Sequence, residues 1–121
     1  MVPSSDLLRT GKGALAVETY YLNTQKVALY LAGMFKAAFP DYYHKYSQAF
    51  EAGQWTDSDP GPWLGRAVVW KLQVGTHRDG LDEGPAACFP CGKYEGGHLC
   101  LPDLNALLQY VLSPFLSDRA R

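Results

Sequence analysis

Pro40 sets the first boundary on what this chain can fold into. Its ring removes a backbone donor and cannot continue a helix that reaches it from the N-terminal side. Before it, Ala28, Leu31, Met34, Phe35 and Ala38 recur at helical spacing. Asn23 and Thr24 are the expected N-cap of that stretch. After it, Pro40-Asp41 has the chemistry of a helix start, with proline in the first turn and a carboxylate at the positive end of the dipole. Tyr42, Tyr46, Ala49 and Phe50 form an apolar stripe, and Gly53 is the expected C-cap. Two helices meeting at Pro40 are therefore predicted. Upstream, residues 1–13 read as a lead-in. Ala14 to Leu22 is short, apolar and aromatic, which fits a strand but leaves the assignment ambiguous.

Beyond the helices the punctuation changes. Residues 54–65 carry turn chemistry and two tryptophans, Trp55 and Trp63, so a loop pinned by aromatic anchors is expected. From Arg66 to Gly75, Trp70, Leu72 and Val74 alternate with Lys71, Gln73 and Gly75, which predicts a strand with one apolar face and one polar face. Carried forward, that parity puts His77 and Asp79 on the polar face with Lys71 and Gln73. Residues 80–97 are rich in Gly and Pro. Gly96-Gly97 predicts a turn, and His98 to Leu101 a short strand ended by Pro102. Residues 104–116 are apolar but interrupted at Ser113-Pro114.

Composition excludes several classes. With 47% hydrophobic residues, eight Tyr and three Trp, the chain can bury a core and is not of a disordered type. A formal net charge of −1, with no block of like charges, gives no nucleic-acid footprint. The longest apolar run, Val27 to Phe35, falls far short of the roughly 20 residues that span a bilayer, so no membrane segment is expected. The opening Met1-Val-Pro-Ser-Ser-Asp6 lacks the basic start and apolar run of a signal peptide. Together with an odd count of three Cys, this predicts an intracellular protein, nuclear or cytoplasmic, with reduced thiols.

Three groups of residues could carry chemistry. His77 and Asp79, at i and i+2 on a strand, would point the same way about 6.5–7 Å apart at the backbone. One imidazole and one carboxylate can converge on iron(II), which takes a second His from elsewhere and keeps open positions for oxygen and a co-substrate. The bland reading of the same pair is a surface turn. Cys88 and Cys91 have the Cys-x2-Cys spacing of a zinc ligand pair, which Cys100 with His98 or His77 could complete. The competing reading is a packed loop of buried thiols. The aromatic set Tyr42, Tyr43, Tyr46, Phe50, Trp55 and Trp63 could stack bases, but its helical spacing and few cations favour core packing.

The stretch Val69-Trp-Lys-Leu-Gln-Val-Gly-Thr-His-Arg-Asp79, followed by residues 84–104 with Gly96-Gly-His-Leu-Cys-Leu-Pro102, resembles the fungal, basidiomycete group of 2-oxoglutarate/iron(II) dioxygenase-like proteins related to the TET/JBP nucleic-acid oxygenases. The likeness covers residues 66–104. It implies an α+β fold, a double-stranded β-helix (jelly-roll) with helices packed on its outer face. It also implies Fe(II) and 2-oxoglutarate as cofactors, His77 and Asp79 as metal ligands, and a nucleic-acid substrate by family analogy alone. The family also uses a distal His and a basic residue for the far carboxylate of 2-oxoglutarate, both from later strands. Here no His follows His98, and Arg119 and Arg121 match no family position. The expectation is therefore one incomplete dioxygenase domain: a helical part at 1–65, strands with the His-x-Asp motif at 66–104 and a divergent tail at 105–121. It would be truncated, with a partial β-helix and little or no turnover alone. The alternatives are a small zinc module on Cys88, Cys91 and Cys100, or a non-catalytic interaction remnant.

Overall fold

A computed structural model describes residues 4–70, 73–77 and 83–110. The chain divides into two compact units, Met1–Leu72 and Gln73–Arg121.

The first unit is helical. A single turn, α1 (Ser5–Leu8), precedes the long α2 (Gly11–Ala38), and α3 (Pro40–Gly53) follows. Helix α2 starts 13 residues before the predicted cap at Thr24. Thr10, in extended conformation, accepts the Gly13 N–H at 3.1 Å and supplies the N-cap instead. Thr24 lies inside the helix, where its hydroxyl donates to the Tyr20 carbonyl at 2.8 Å. Its side chain is thus satisfied without ending the helix. Ala14 to Leu22 is accordingly helix and not strand.

The break at Pro40 falls as predicted. Phe39 leaves the helical region at φ −139°, ψ 66°. Its N–H still reaches the Phe35 carbonyl at 2.8 Å, and its own carbonyl accepts from Tyr43 at 2.9 Å. One residue thus closes α2 and opens α3, because proline disfavours helical backbone in the residue before it. The buried stripe of α2 is Val17, Tyr21, Ala28, Ala32 and Phe35, and Phe50 of α3 is buried as well. Met34 and Ala38, which share the helical spacing, are exposed, and so is Ala49 of the predicted α3 stripe. The two halves of the core meet on aromatics. Phe35 lies 5.0 Å from Trp63, stacked at 30°, and 5.2 Å from Tyr46. Trp55 sits 6.3 Å from Tyr21. The loop after α3 is therefore pinned by its tryptophans, as its composition predicts.

Gly13 is the close approach that lets α1 sit on α2. A Cβ there would fall 1.8 Å from the Leu7 carbonyl oxygen, which is backbone and cannot rotate aside. Gly13→Ala is expected to detach α1 while leaving the body of α2 intact. Hydrogen exchange should show Leu7 and Leu8 amides losing protection, with amides past Tyr20 unchanged.

Among the described residues of the second unit, the regular structure is one hairpin. β1 (His98–Leu101) pairs antiparallel with β2 (Ala106–Gln109). The register sets His98 opposite Gln109 and Leu101 opposite Ala106. A 3₁₀ turn at Pro102–Leu104 and Asn105 in the left-handed region, φ 47°, make the reversal. Gly96 and Gly97, both at positive φ, lead into β1 without the predicted turn, and the Gly97 carbonyl accepts from the Tyr110 N–H at 3.0 Å. β1 lies where the sequence predicts it. β2 falls in a stretch read only as apolar.

The predicted fold class is corrected here. The described residues are mostly helical and hold one two-stranded sheet, not an α+β jelly-roll with helices on its outer face. Within the predicted strand 66–75, the described residues 66–70 and 73–75 are not in a ladder, and Trp70 is 87% exposed. The reason is twofold. Arg66 is held by side chains of the helical unit and does not start a pairing. Alternation alone cannot make a strand, since its backbone groups need a partner ladder.

Candidate functional site

Of the predicted metal pair, His77 is described and Asp79 lies outside the described residues, as do Lys71 and Leu72. His77 is exposed, and its Nδ1 lies 2.9 Å from the Gly75 carbonyl oxygen. A carbonyl only accepts, so Nδ1 donates and the neutral ring carries its lone pair on Nε2. Metal-ligating histidines are commonly oriented by such a bond from the other ring nitrogen. The described residues contain no group of three or more His, Cys, Asp or Glu placed to hold a metal ion. One oriented imidazole does not fit an iron(II) centre by itself, and no reaction step is derived through one.

The zinc alternative meets the same geometry. Cys88, Cys91 and Cys100 are free thiols and all three are exposed, contrary to the packed-loop reading as well. Cys100 shares the exposed parity of β1 with His98, while Leu99 and Leu101 are half-buried. Cys88 has another neighbour: its Sγ is 3.9 Å from the Tyr110 hydroxyl. Partial burial, and then this contact, push the Tyr110 phenol above its ordinary pKa.

The most organised polar group was not singled out by the sequence. It lies in the helical unit, where the loop after α3 folds back on α2. Glu18 of α2 accepts from Thr56 Oγ1 at 3.0 Å and from the Ser58 hydroxyl. Asp59 is 3% exposed; its Oδ1 accepts the Gly61 N–H at 3.1 Å and pairs with Arg66. The Arg66 guanidinium lies 5.0 Å from the Tyr21 ring centroid and 3.5 Å from Thr24 Oγ1. Burial first, and the Asp59 carboxylate second, push the Tyr21 phenol above its ordinary pKa. Every charge in this clasp has a partner, so it stabilises the loop and offers no unsatisfied group to a ligand. The turn residues of this loop are legible in sequence, but their partners lie about 40 positions upstream.

No protein-family model, curated protein or solved structure matches the chain. Among the described residues no helix is long and apolar enough to cross a membrane.

Proposed function

We propose that the chain is related to the iron(II)/2-oxoglutarate dioxygenases through its His77–Asp79 element, and that residues 1–121 alone do not turn over 2-oxoglutarate. The observation that carries the first half is the orientation of His77. Its Nδ1–H is committed to the Gly75 carbonyl, which leaves the imidazole in the tautomer that ligates metal through Nε2. The second half rests on the ligand set. The sequence has His only at positions 44, 77 and 98. His44, on α3, lies 3.2 Å from Gln48 and belongs to the helical unit's surface. His98 lies on β1 with an exposed side chain. A two-ligand remnant binds iron(II) weakly and leaves the oxygen-binding positions undefined.

Anaerobic titration with iron(II), followed by a 2-oxoglutarate decarboxylation assay with ascorbate, tests both halves. Weak iron binding is expected, falling roughly tenfold or more in His77→Ala, a loss of about 1.4 kcal/mol. No decarboxylation above the metal-only background is expected. Iron binding indifferent to His77→Ala would remove the family reading. Turnover by the chain alone would remove the inactivity.

A further inference from the structure

The turn Thr56-Asp57-Ser58-Asp59 leans on a single carboxylate of α2. Each oxygen of Glu18 takes one hydroxyl: Oε2 accepts from Thr56 Oγ1 at 3.0 Å and Oε1 accepts from Ser58 Oγ. The turn's own closure is slight. Thr56 Oγ1 accepts the Ser58 N–H at 3.3 Å, and the Thr56 carbonyl accepts the Asp59 N–H at 3.3 Å. Both lie just beyond the usual N–H···O range. Asp57 is exposed, while Thr56 and Ser58 are half-buried. A turn held by side chains in this way opens locally at far lower cost than global unfolding. Once open, it presents the Ser58 hydroxyl to solvent.

We propose that Ser58 is a phosphorylation site for a protein kinase with a basic substrate groove, and that phosphate there keeps the turn off α2. Charge selects the kinase class. Asp57 directly precedes Ser58, Asp59 directly follows it, and residues 53–65 contain no Lys, Arg or His. A cationic groove is complementary to such a segment. Ser58 is the better of the two hydroxyls, because Thr56 Oγ1 also serves as the acceptor of the Ser58 N–H. In the transfer, Ser58 Oγ attacks the γ-phosphorus of a nucleoside triphosphate. An Oγ–P bond forms and the bond from that phosphorus to the bridging oxygen breaks. The nucleoside diphosphate leaves, and the hydroxyl proton passes to the kinase's catalytic carboxylate. Two effects then act in one direction. Ser58 loses the proton it donated to Glu18, and the phosphate brings a charge of about −1.5 to −2 against a carboxylate that can only accept. The cation of the clasp, Arg66, is already paired with Asp59. The helices are untouched, since Phe35 and Trp63 stack independently of the turn.

The first arm of the test incubates the full chain with an acidophilic serine/threonine kinase and ATP and maps the product by mass spectrometry. One phosphate on Ser58 is expected, and Ser58→Ala should take up none. No incorporation, or incorporation at Thr56 alone, overturns the site. The second arm uses chain in which every Ser58 has been replaced by phosphoserine during synthesis, so it does not depend on the kinase. With intrinsic rates corrected, the Asp59 amide should exchange roughly tenfold or more faster than in the unmodified chain, and the Phe39 and Tyr43 amides should be unchanged. Ser58→Ala separates the lost bond from the added charge, because it removes only the bond and should give a clearly smaller increase. If phosphoserine speeds exchange no more than Ser58→Ala does, the phosphate does not repel Glu18 and the switch is overturned.

Discussion

Phe35→Ala should destabilise the helical unit by about 3–5 kcal/mol. Phe35 is 6% exposed and sits where three elements converge. Its ring is 6.0 Å from Phe39, 6.2 Å from Tyr43, 5.2 Å from Tyr46 and 5.0 Å from Trp63. Truncation removes the shared partner of α2, α3 and the following loop at once. The cavity could be filled only by moving Trp63, which would release the loop it anchors. For a domain whose total stability is on the order of 5–15 kcal/mol, the loss is a large fraction. Urea denaturation followed by far-UV circular dichroism should show the midpoint collapsing toward zero denaturant. Met34→Ala is the control. Met34 is adjacent in sequence but 54% exposed, so its truncation should cost less than about 0.5 kcal/mol. If the two variants lose equal stability, Phe35 is not the centre of the core.

The same pair of residues shows how far the sequence could be read. Helical spacing admits Met34 and Phe35 equally, since adjacent residues on a helix differ by only 100° and both fall within a broad apolar stripe. What separates them is where α3 lies, and that is set at Pro40 and Phe39. The break, the start of α3 at Pro40, its end at Gly53 and the strand at His98 were all legible because proline, glycine and periodicity act locally. The N-terminal half of α2 was not. Its aromatic and β-branched residues mimic a strand, and Thr24 mimics a cap although its hydroxyl is satisfied within the helix.

Strand alternation failed for a different reason in the described residues 66–70 and 73–75. A strand is a property of two paired segments, and period-two alternation reports only that one face of a segment is apolar. The motif reading of His77 and Asp79 was local and rests on residue types. The jelly-roll it implied was non-local, and the hairpin of β1 and β2 stands in its place among the described residues. The family proposal therefore depends on the motif and on the tethering of His77 to Gly75, and draws no support from the fold.

Asp59→Ala should be the most damaging polar substitution, at about 3 kcal/mol. The carboxylate is 3% exposed and the Arg66 side chain 17% exposed, so their pairing is sheltered from bulk water. Removing Asp59 strands a guanidinium that is already committed to the Tyr21 face, 5.0 Å from its centroid. It also takes away the acceptor of the Gly61 N–H. Both losses leave a polar group desolvated without a partner, which costs more than the bond itself contributed. Asp59→Asn separates the two effects. The amide oxygen can still accept from Gly61, so only the charge pairing is lost and the cost should fall to about half. Adding Arg66→Met to Asp59→Asn removes the stranded cation while keeping apolar stem against Tyr21. That double variant should recover most of the lost stability, since replacing both members of a sheltered pair is far milder than removing one. Thermal denaturation of the wild type, Asp59→Asn, Arg66→Met and the double variant forms the cycle. Additive losses in the double variant would mean that Asp59 and Arg66 act independently, and that the loop is held by Glu18, Thr56 and Ser58 instead.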